Sequence, residues 1–192
     1  MFRLFLLAVS ISFQAYGASA EMEEYVRAWK LYGEGQTDAA LAALKRLMQA
    51  SPSFYRAHVL FVEVSDEAQR LDEAEAYLLS IPREQRTAAD LVALGYVETR
   101  RVDGPKAEEY FVECLRLEPN LPACYGLLAG VMELSRKTRP RLQRIYEAAR
   151  RNDPNRCLAD FFYYRLSQQI PRMQAAAKEC PSVAQARGDA EA

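Results

Sequence analysis

Four cysteines, a single histidine and 26 carboxylates are the residues of this 192-residue chain with chemistry to offer. Their spacing removes most of it. Cys114, Cys124, Cys157 and Cys180 form no C-x-x-C, and His58 has no H-E-x-x-H companion, so neither a metal site nor a cofactor is expected. A nucleophilic triad needs a histidine base, yet His58 lies in helical context with no G-x-S-x-G elbow and reads as an ordinary helix residue. No glycine-rich phosphate loop is present. The carboxylates sit on amphipathic helices, where they usually just solvate a face. No catalytic constellation can be assembled, so the chain is not expected to be an enzyme. What remains is cysteine as a cross-link or a small buried hydrophobe, and aromatic groups that could anchor a partner.

Which cysteine chemistry applies depends on compartment. Arg3, the apolar run Leu4 to Val9 with Ile11 and Phe13, and the small residues of Ala18-Ser19-Ala20 read as a signal peptide over residues 1–20. Cleavage is expected before Glu21, giving a periplasmic or secreted protein. Ser10, Ser12 and Gln14 interrupt the run, which falls short of the ~20 residues of a membrane span. No membrane span is expected once the signal is cleaved. Losing Arg3 lowers the basic residues from 25 to 24 against 26 acidic ones, a net charge of −2. That balance argues against a nucleic-acid partner. Charge is nonetheless uneven. Glu63, Asp66, Glu67, Asp72, Glu73 and Glu75 form an acidic stretch, whereas Arg136, Lys137, Arg139, Arg141, Arg144, Arg150, Arg151 and Arg156 form a basic one. Both read first as solvated helix faces.

The elements that must position these residues repeat. Few glycines and an excess of Ala, Leu, Glu and Arg favour helix throughout. Three amphipathic segments carry a small residue at an equivalent place, Ala40, Ala74 and Ala107, spaced by 34 and 33 residues, and Leu142 follows 35 further on. Thirteen residues beyond these markers stand Ser53, Thr87, Asn120 and Asn155, all suited to cap a new helix. Thr87 has Asp90 three residues later, as in a capping box. The first helices of the pairs read as 22–32, 54–68, 88–101, 121–135 and 156–169. Gly33, Gly35, Asp103-Gly104-Pro105 and Arg139-Pro140 mark the turns within pairs, and Pro52, Pro82, Pro119 and Pro154 close the second helices.

This pattern resembles the tetratricopeptide repeat. Leu91-x-x-Leu94-Gly95, then Ala107-x-x-x-Phe111, then Pro119 match its signature best. Ala40-x-x-x-Leu44 with Pro52 is a half-match, and Ala129-Gly130 with Tyr146 and Pro154 a divergent one. In the second repeat Val62 takes the glycine-like site and Leu78 the aromatic one; Glu98 and Glu133 stand where the family has a tyrosine. The fold class expected is all-α, a right-handed α-solenoid of four helix pairs plus a partial fifth over residues 21–180, with a disordered tail at 181–192.

The resemblance implies that the first helices line a concave groove. Its candidate residues are Tyr25, Trp29 and Tyr32 in the first pair, Val59, Glu63, Asp66 and Glu67 in the second, and Val92, Tyr96, Thr99 and Arg100 in the third. The fourth adds Leu127, Val131 and Leu134. Trp29 and Tyr32 could equally pack inside their own helix pair or form the solvated cap of the solenoid. Cys114 ends one helix and Cys124 begins the next, and Cys157 and Cys180 bracket the fifth pair. The candidate disulfides are therefore Cys114–Cys124 and Cys157–Cys180, with buried free thiols as the alternative. The function expected is a scaffold holding a protein partner in the groove. A glycan stacked on the aromatics, or a self-associating homo-oligomer joining acidic second repeat to basic fourth, are the other readings.

Overall fold

The computed structural model describes residues 20–132, 138–152, 156–180 and 182–183. Residues 1–19 of the expected signal, the caps and groove positions at Asn155 and Leu134, and most of the expected tail lie outside them. The described residues form ten α-helices and no strand. They are α1 (Ala20–Gly33), α2 (Thr37–Ala50), α3 (Tyr55–Glu67), α4 (Leu71–Ser80), α5 (Ala88–Arg100), α6 (Gly104–Leu117), α7 (Pro122–Met132), α8 (Arg139–Asn152), α9 (Cys157–Leu166) and α10 (Ile170–Glu179). A 3₁₀ turn at Arg83–Gln85 separates α4 from α5. Odd-numbered helices pack side by side along one face, and each even-numbered helix follows on the other. The result is an α-solenoid of helix pairs, and the fifth pair is a full hairpin.

The hairpin turns recur in register. Gly35, Gln69, Val102 and Gln168 all have positive φ, between 58° and 75°. Beside each, two N–H groups reach back to the carbonyls left open at the helix end, as in Gly35 to Tyr32 and Gln36 to Leu31, both 2.9 Å. The same pair of bonds recurs at Gln69/Arg70, Val102/Asp103 and Gln168/Gln169. This left-handed termination satisfies orphan carbonyls and reverses the chain. Three of the four positions carry a side chain where glycine would cost nothing.

The expected caps are made less regularly. Thr87 caps α5 with a full capping box, its side chain accepting from Asp90 N–H at 3.2 Å while the Asp90 carboxylate accepts from Thr87 N–H at 2.8 Å. Ser53 is displaced by one residue: Phe54 holds the cap position of α3 and makes no side-chain bond there. Asn120 lies in the turn before α7, whose first residue is Pro122. Proline satisfies that position in another way, since it has no N–H to orphan.

Small residues set the spacing of the first three pairs. Ala40, Ala74 and Ala107 are buried completely or nearly so. At Gly95 a Cβ atom would sit 2.5 Å from the Phe111 ring, so the glycine is required by close approach. In the second repeat the larger Val62 and the smaller Leu78 stand at the same two sites, both fully buried. In the fourth, Leu142 replaces the marker alanine and Tyr146 the aromatic, again fully buried. Bulk at both sites holds α8 off α7, and α8 packs chiefly on α9.

Two apolar clusters result, and they divide within α5. Ala93, Leu94, Tyr96 and Val97 belong to the N-terminal cluster, and Ala88, Ala89, Leu91 and Val92 to the C-terminal one. Every residue from Ala88 to Glu98 is buried. A helix covered on all sides needs no amphipathic stripe, which explains the even apolarity of its sequence.

Candidate functional site

The exposed edge of α1, α3 and α5 gathers the candidate groove residues through contacts one repeat apart. Tyr32 donates its hydroxyl hydrogen to Glu67. Tyr96 donates to Glu63 at 3.2 Å, and the Arg100 guanidinium grips Asp66 at 2.6 Å. Tyr25 meets Phe54 edge-on, with ring centroids 5.7 Å apart. Polar rungs above an apolar floor thus tie α1 to α3 and α3 to α5.

The electrostatics follow from this crowding. Burial pushes the Glu63 carboxyl above its ordinary value, partly offset by the Tyr96 hydroxyl and the Arg100 charge. Burial, then the Glu63 charge, pushes the Tyr96 phenol up to about 12. The hydrogen bond to Glu67 raises the Tyr32 phenol, and burial followed by Glu63 raises that of Tyr25. All three phenols therefore stay neutral donors at physiological pH.

Trp29 stands apart from this web. It lies between Tyr25 and Tyr32 on the same face of α1, four residues from one and three from the other. Yet its side chain is 57% exposed, so it does not pack inside the helix pair. Val26, one turn away, is exposed to a similar degree. Other implied groove positions are not available: Val92 is fully buried, Tyr96 nearly so, and the Thr99 hydroxyl bonds back to Gly95 O at 2.9 Å.

The acidic stretch of the second repeat is largely neutralised within the chain. Arg70 bridges Asp38 and Glu73, and Arg101 bridges Asp72 and Glu75. Lys106 joins Glu75 to the buried Glu98. Surface pairs of this kind add little stability, but they do remove the free charge that a head-to-tail partner would need.

His58 is more than an ordinary helix residue. It is 1% exposed, and its Nε2 lies 3.2 Å from the Asp90 carboxylate. Its Nδ1 lies 3.2 Å from the Phe54 carbonyl. Both ring nitrogens thus face acceptors, one on the backbone of α3 and one on the side chain of α5. Burial would raise the Asp90 carboxyl, but hydrogen bonds from His58 and from the backbone and side chain of Thr87 outweigh it and hold it below its ordinary value. One carboxylate therefore caps α5 and locks it to α3. The capping signature was the only sign of this in the sequence.

The cysteines are joined as Cys114–Cys124, with Cα atoms 6.0 Å apart, and Cys157–Cys180, at 5.4 Å. The first bond ties α6 to α7 and the second closes the α9–α10 hairpin. Among the described residues no group of three or more His, Cys, Asp or Glu side chains could hold a metal ion, and no helix is long and apolar enough to cross a membrane.

Residues 31–94, from the end of α1 to the middle of α5, match the tetratricopeptide repeat family model. That segment is a tetratricopeptide repeat stretch. Solved structures that match in part include MamA, with a TM-score of 0.45 and 16% identity over 85% of this chain and 94% of that one. YrrB, described as a TPR protein with an unusual peptide-binding site, gives 0.42 and 14% over 88% and 87%. The pilF protein of Pseudomonas aeruginosa gives 0.37 and 18% over 83% and 88%. No curated protein matches the sequence. The ligands of this chain must be argued from its own residues.

Proposed function

We propose that this repeat protein is a non-catalytic scaffold that holds a segment of a partner protein along the exposed edge of α1, α3 and α5. Tyr25, Trp29, Tyr32, Glu63, Asp66, Glu67 and Arg100 form that surface, and the nearly buried Tyr96 supports it through its hydrogen bond to Glu63. Exposed Trp29 carries the reading. A lone indole on a polar rim, above a rigid hydrogen-bonded framework, is the anchor that protein interfaces use most. The framework loses no freedom on binding, because its rungs already fix Tyr32, Glu63, Asp66 and Arg100.

Residues 1–20 act in this reading as a cleaved signal peptide, residues 21–180 as the scaffold and 181–192 as a tail. The two disulfides support an oxidising compartment, periplasmic or extracellular. N-terminal sequencing of the mature protein should begin at Glu21. Capture from envelope extract with the wild type, and with alanine at Tyr25, Trp29 and Tyr32 together, tests the groove. The partner should be lost with the triple variant; capture of the same protein by both would overturn the assignment. Trp29 emission should be indifferent to soluble glycans, and a saturable shift would favour the sugar-stacking reading instead.

A further inference from the structure

A second concave feature lies on the opposite side of the molecule, where α8 stands off from α6. The cleft between them has a volume of about 490 Å³, within the ~300–1,000 Å³ of small-molecule sites. Two helical stripes face each other across it. One comprises Val112, Leu115, Arg116 and Pro119, and the other Arg141, Arg144, Ile145, Ala148, Ala149 and Asn152. Their spacings of three and four residues place each set on one helix face. Aliphatic side chains make the floor, Arg116, Arg141 and Arg144 bring three guanidinium groups to the lining, and among the described residues no carboxylate lines the cleft.

The three arginines are not equivalent. Arg141 is held by the buried Glu108 at 2.6 Å and Arg116 by Glu113 at 3.3 Å. Arg144 has no ion-pair partner among the described residues. The aliphatic floor offers no backbone-pairing groups, and Asn152 is the one uncharged polar side chain in the lining. A peptide laid there would leave its own N–H and C=O groups unsatisfied. A hydrocarbon chain would not.

We propose that the α6–α8 cleft binds a single-chain amphiphile with an anionic head, the chain lying on Val112, Leu115, Ile145, Ala148 and Ala149 and the head on Arg144 with Arg116 and Arg141. The run from Arg144 to Asn152 extends roughly 12 Å along α8, the reach of a medium-length acyl chain. Planar guanidinium groups suit either a carboxylate or a phosphate head. This site is independent of the α1–α3–α5 surface, so either assignment can fail alone.

Titration calorimetry with decanoate, decyl phosphate and decanol, below their micelle-forming concentrations, tests it on the full mature chain. Wild type should bind at least one of the two anions, and the tighter of them identifies the head. Decanol should bind about tenfold more weakly or worse, as should the preferred anion to Arg144→Glu. Ala148→Phe, which fills the floor, should abolish binding. Arg144 is exposed and outside every ion pair described, so that variant should keep the wild-type helical signal and melting temperature. No binding of either anion, decanol binding as tightly as the anions, or undiminished binding to Arg144→Glu would each overturn the proposal.

Discussion

The first three helix pairs and the last two reach the same architecture by different chemistry. From α1 to α6 the core is built mainly of alanine, leucine and valine, with Phe61, Phe111 and the less deeply buried Tyr55 and Tyr96 as its aromatic members, and the helices approach closely over Ala40, Ala74, Gly95 and Ala107. From α7 to α10 the core is aromatic. Tyr125, Tyr146 and Phe162 form a triangle with ring centroids 5.3 to 5.9 Å apart, and Phe161 meets Phe162 edge-on. Large rings at the helix interface bury much area but force the helices apart. The C-terminal pairs therefore depart from tight repeat geometry, carry one disulfide within the fifth pair and a second that ties α7 back to α6, and leave open the cleft beside α8. A repeat fold tolerates this because each pair needs only its neighbours.

The tight half is held internally by the buried His58–Asp90 contact between α3 and α5, the looser half by covalent bonds, one of which reaches back to α6. Breaking the first should have the largest effect. Asp90→Ala leaves the buried His58 ring without its partner and removes half of the α5 capping box, so a loss of about 2–4 kcal/mol is expected. Urea titration of the variant measures it. The pH dependence has a definite sign. Because the folded-state Asp90 carboxyl is held below its ordinary value of 3.8, its contribution is complete above that pH and lost as pH falls through the lower folded value. The variant should lack that part of the wild type's acid destabilisation.

Reduction acts on the other half. Opening either disulfide should cost about 3 kcal/mol in the chain-entropy account, slightly more for the longer Cys157–Cys180 loop. Hydrogen exchange should show α7 to α10 losing protection first while α1 to α4 keep theirs. Uniform loss along the chain would mean that the two halves fold as one cooperative unit, and the contrast between them would fall.

The same contrast governs what could be read beforehand. Helix positions were legible because the 34-residue period and the turn residues constrain them locally; α5, for instance, starts at Ala88 as its cap predicts. The family match at residues 31–94 covers the half where the small-residue markers persist. Leu142 and Tyr146 announce the departure in the C-terminal half, but not that it opens a cleft, which depends on how α8 settles on α9. His58 was misjudged because its partner lies 32 residues away on the neighbouring pair, where only three-dimensional stacking reveals it. Likewise, the acidic stretch looked free in sequence because its arginines, Arg100 and Arg101, belong to the next repeat.

Gly95→Ala sharpens the packing side of the comparison. The added Cβ would collide with the Phe111 ring at 2.5 Å, and α5 is enclosed on every side, so a cost of about 1–3 kcal/mol is expected. Gly130, in the C-terminal half, has nothing within 4 Å of the corresponding position. Gly130→Ala should therefore be neutral or mildly stabilising through helix propensity. Thermal melts of the two variants place the tight packing in one half or deny it.

The smallest effect concerns the hairpin turns. Gly35 and Val102 occupy equivalent left-handed positions 67 residues apart, with φ of 75° and 63°. A β-branched residue is the worst choice there, because its Cβ crowds the backbone at a cost of roughly 1–2 kcal/mol. Val102 is also 89% exposed, so its side chain contributes no packing in return. Val102→Gly relieves the strain but frees the unfolded chain, which returns roughly 0.4–1 kcal/mol of the gain. The net should be a stabilisation of under about 1 kcal/mol, seen as a small rise in melting temperature. Gly35→Val, the reverse change at the equivalent turn, should destabilise by a similar amount. A Val102→Gly variant that melts lower than wild type would show that the exposed valine has a role at this turn beyond its backbone strain.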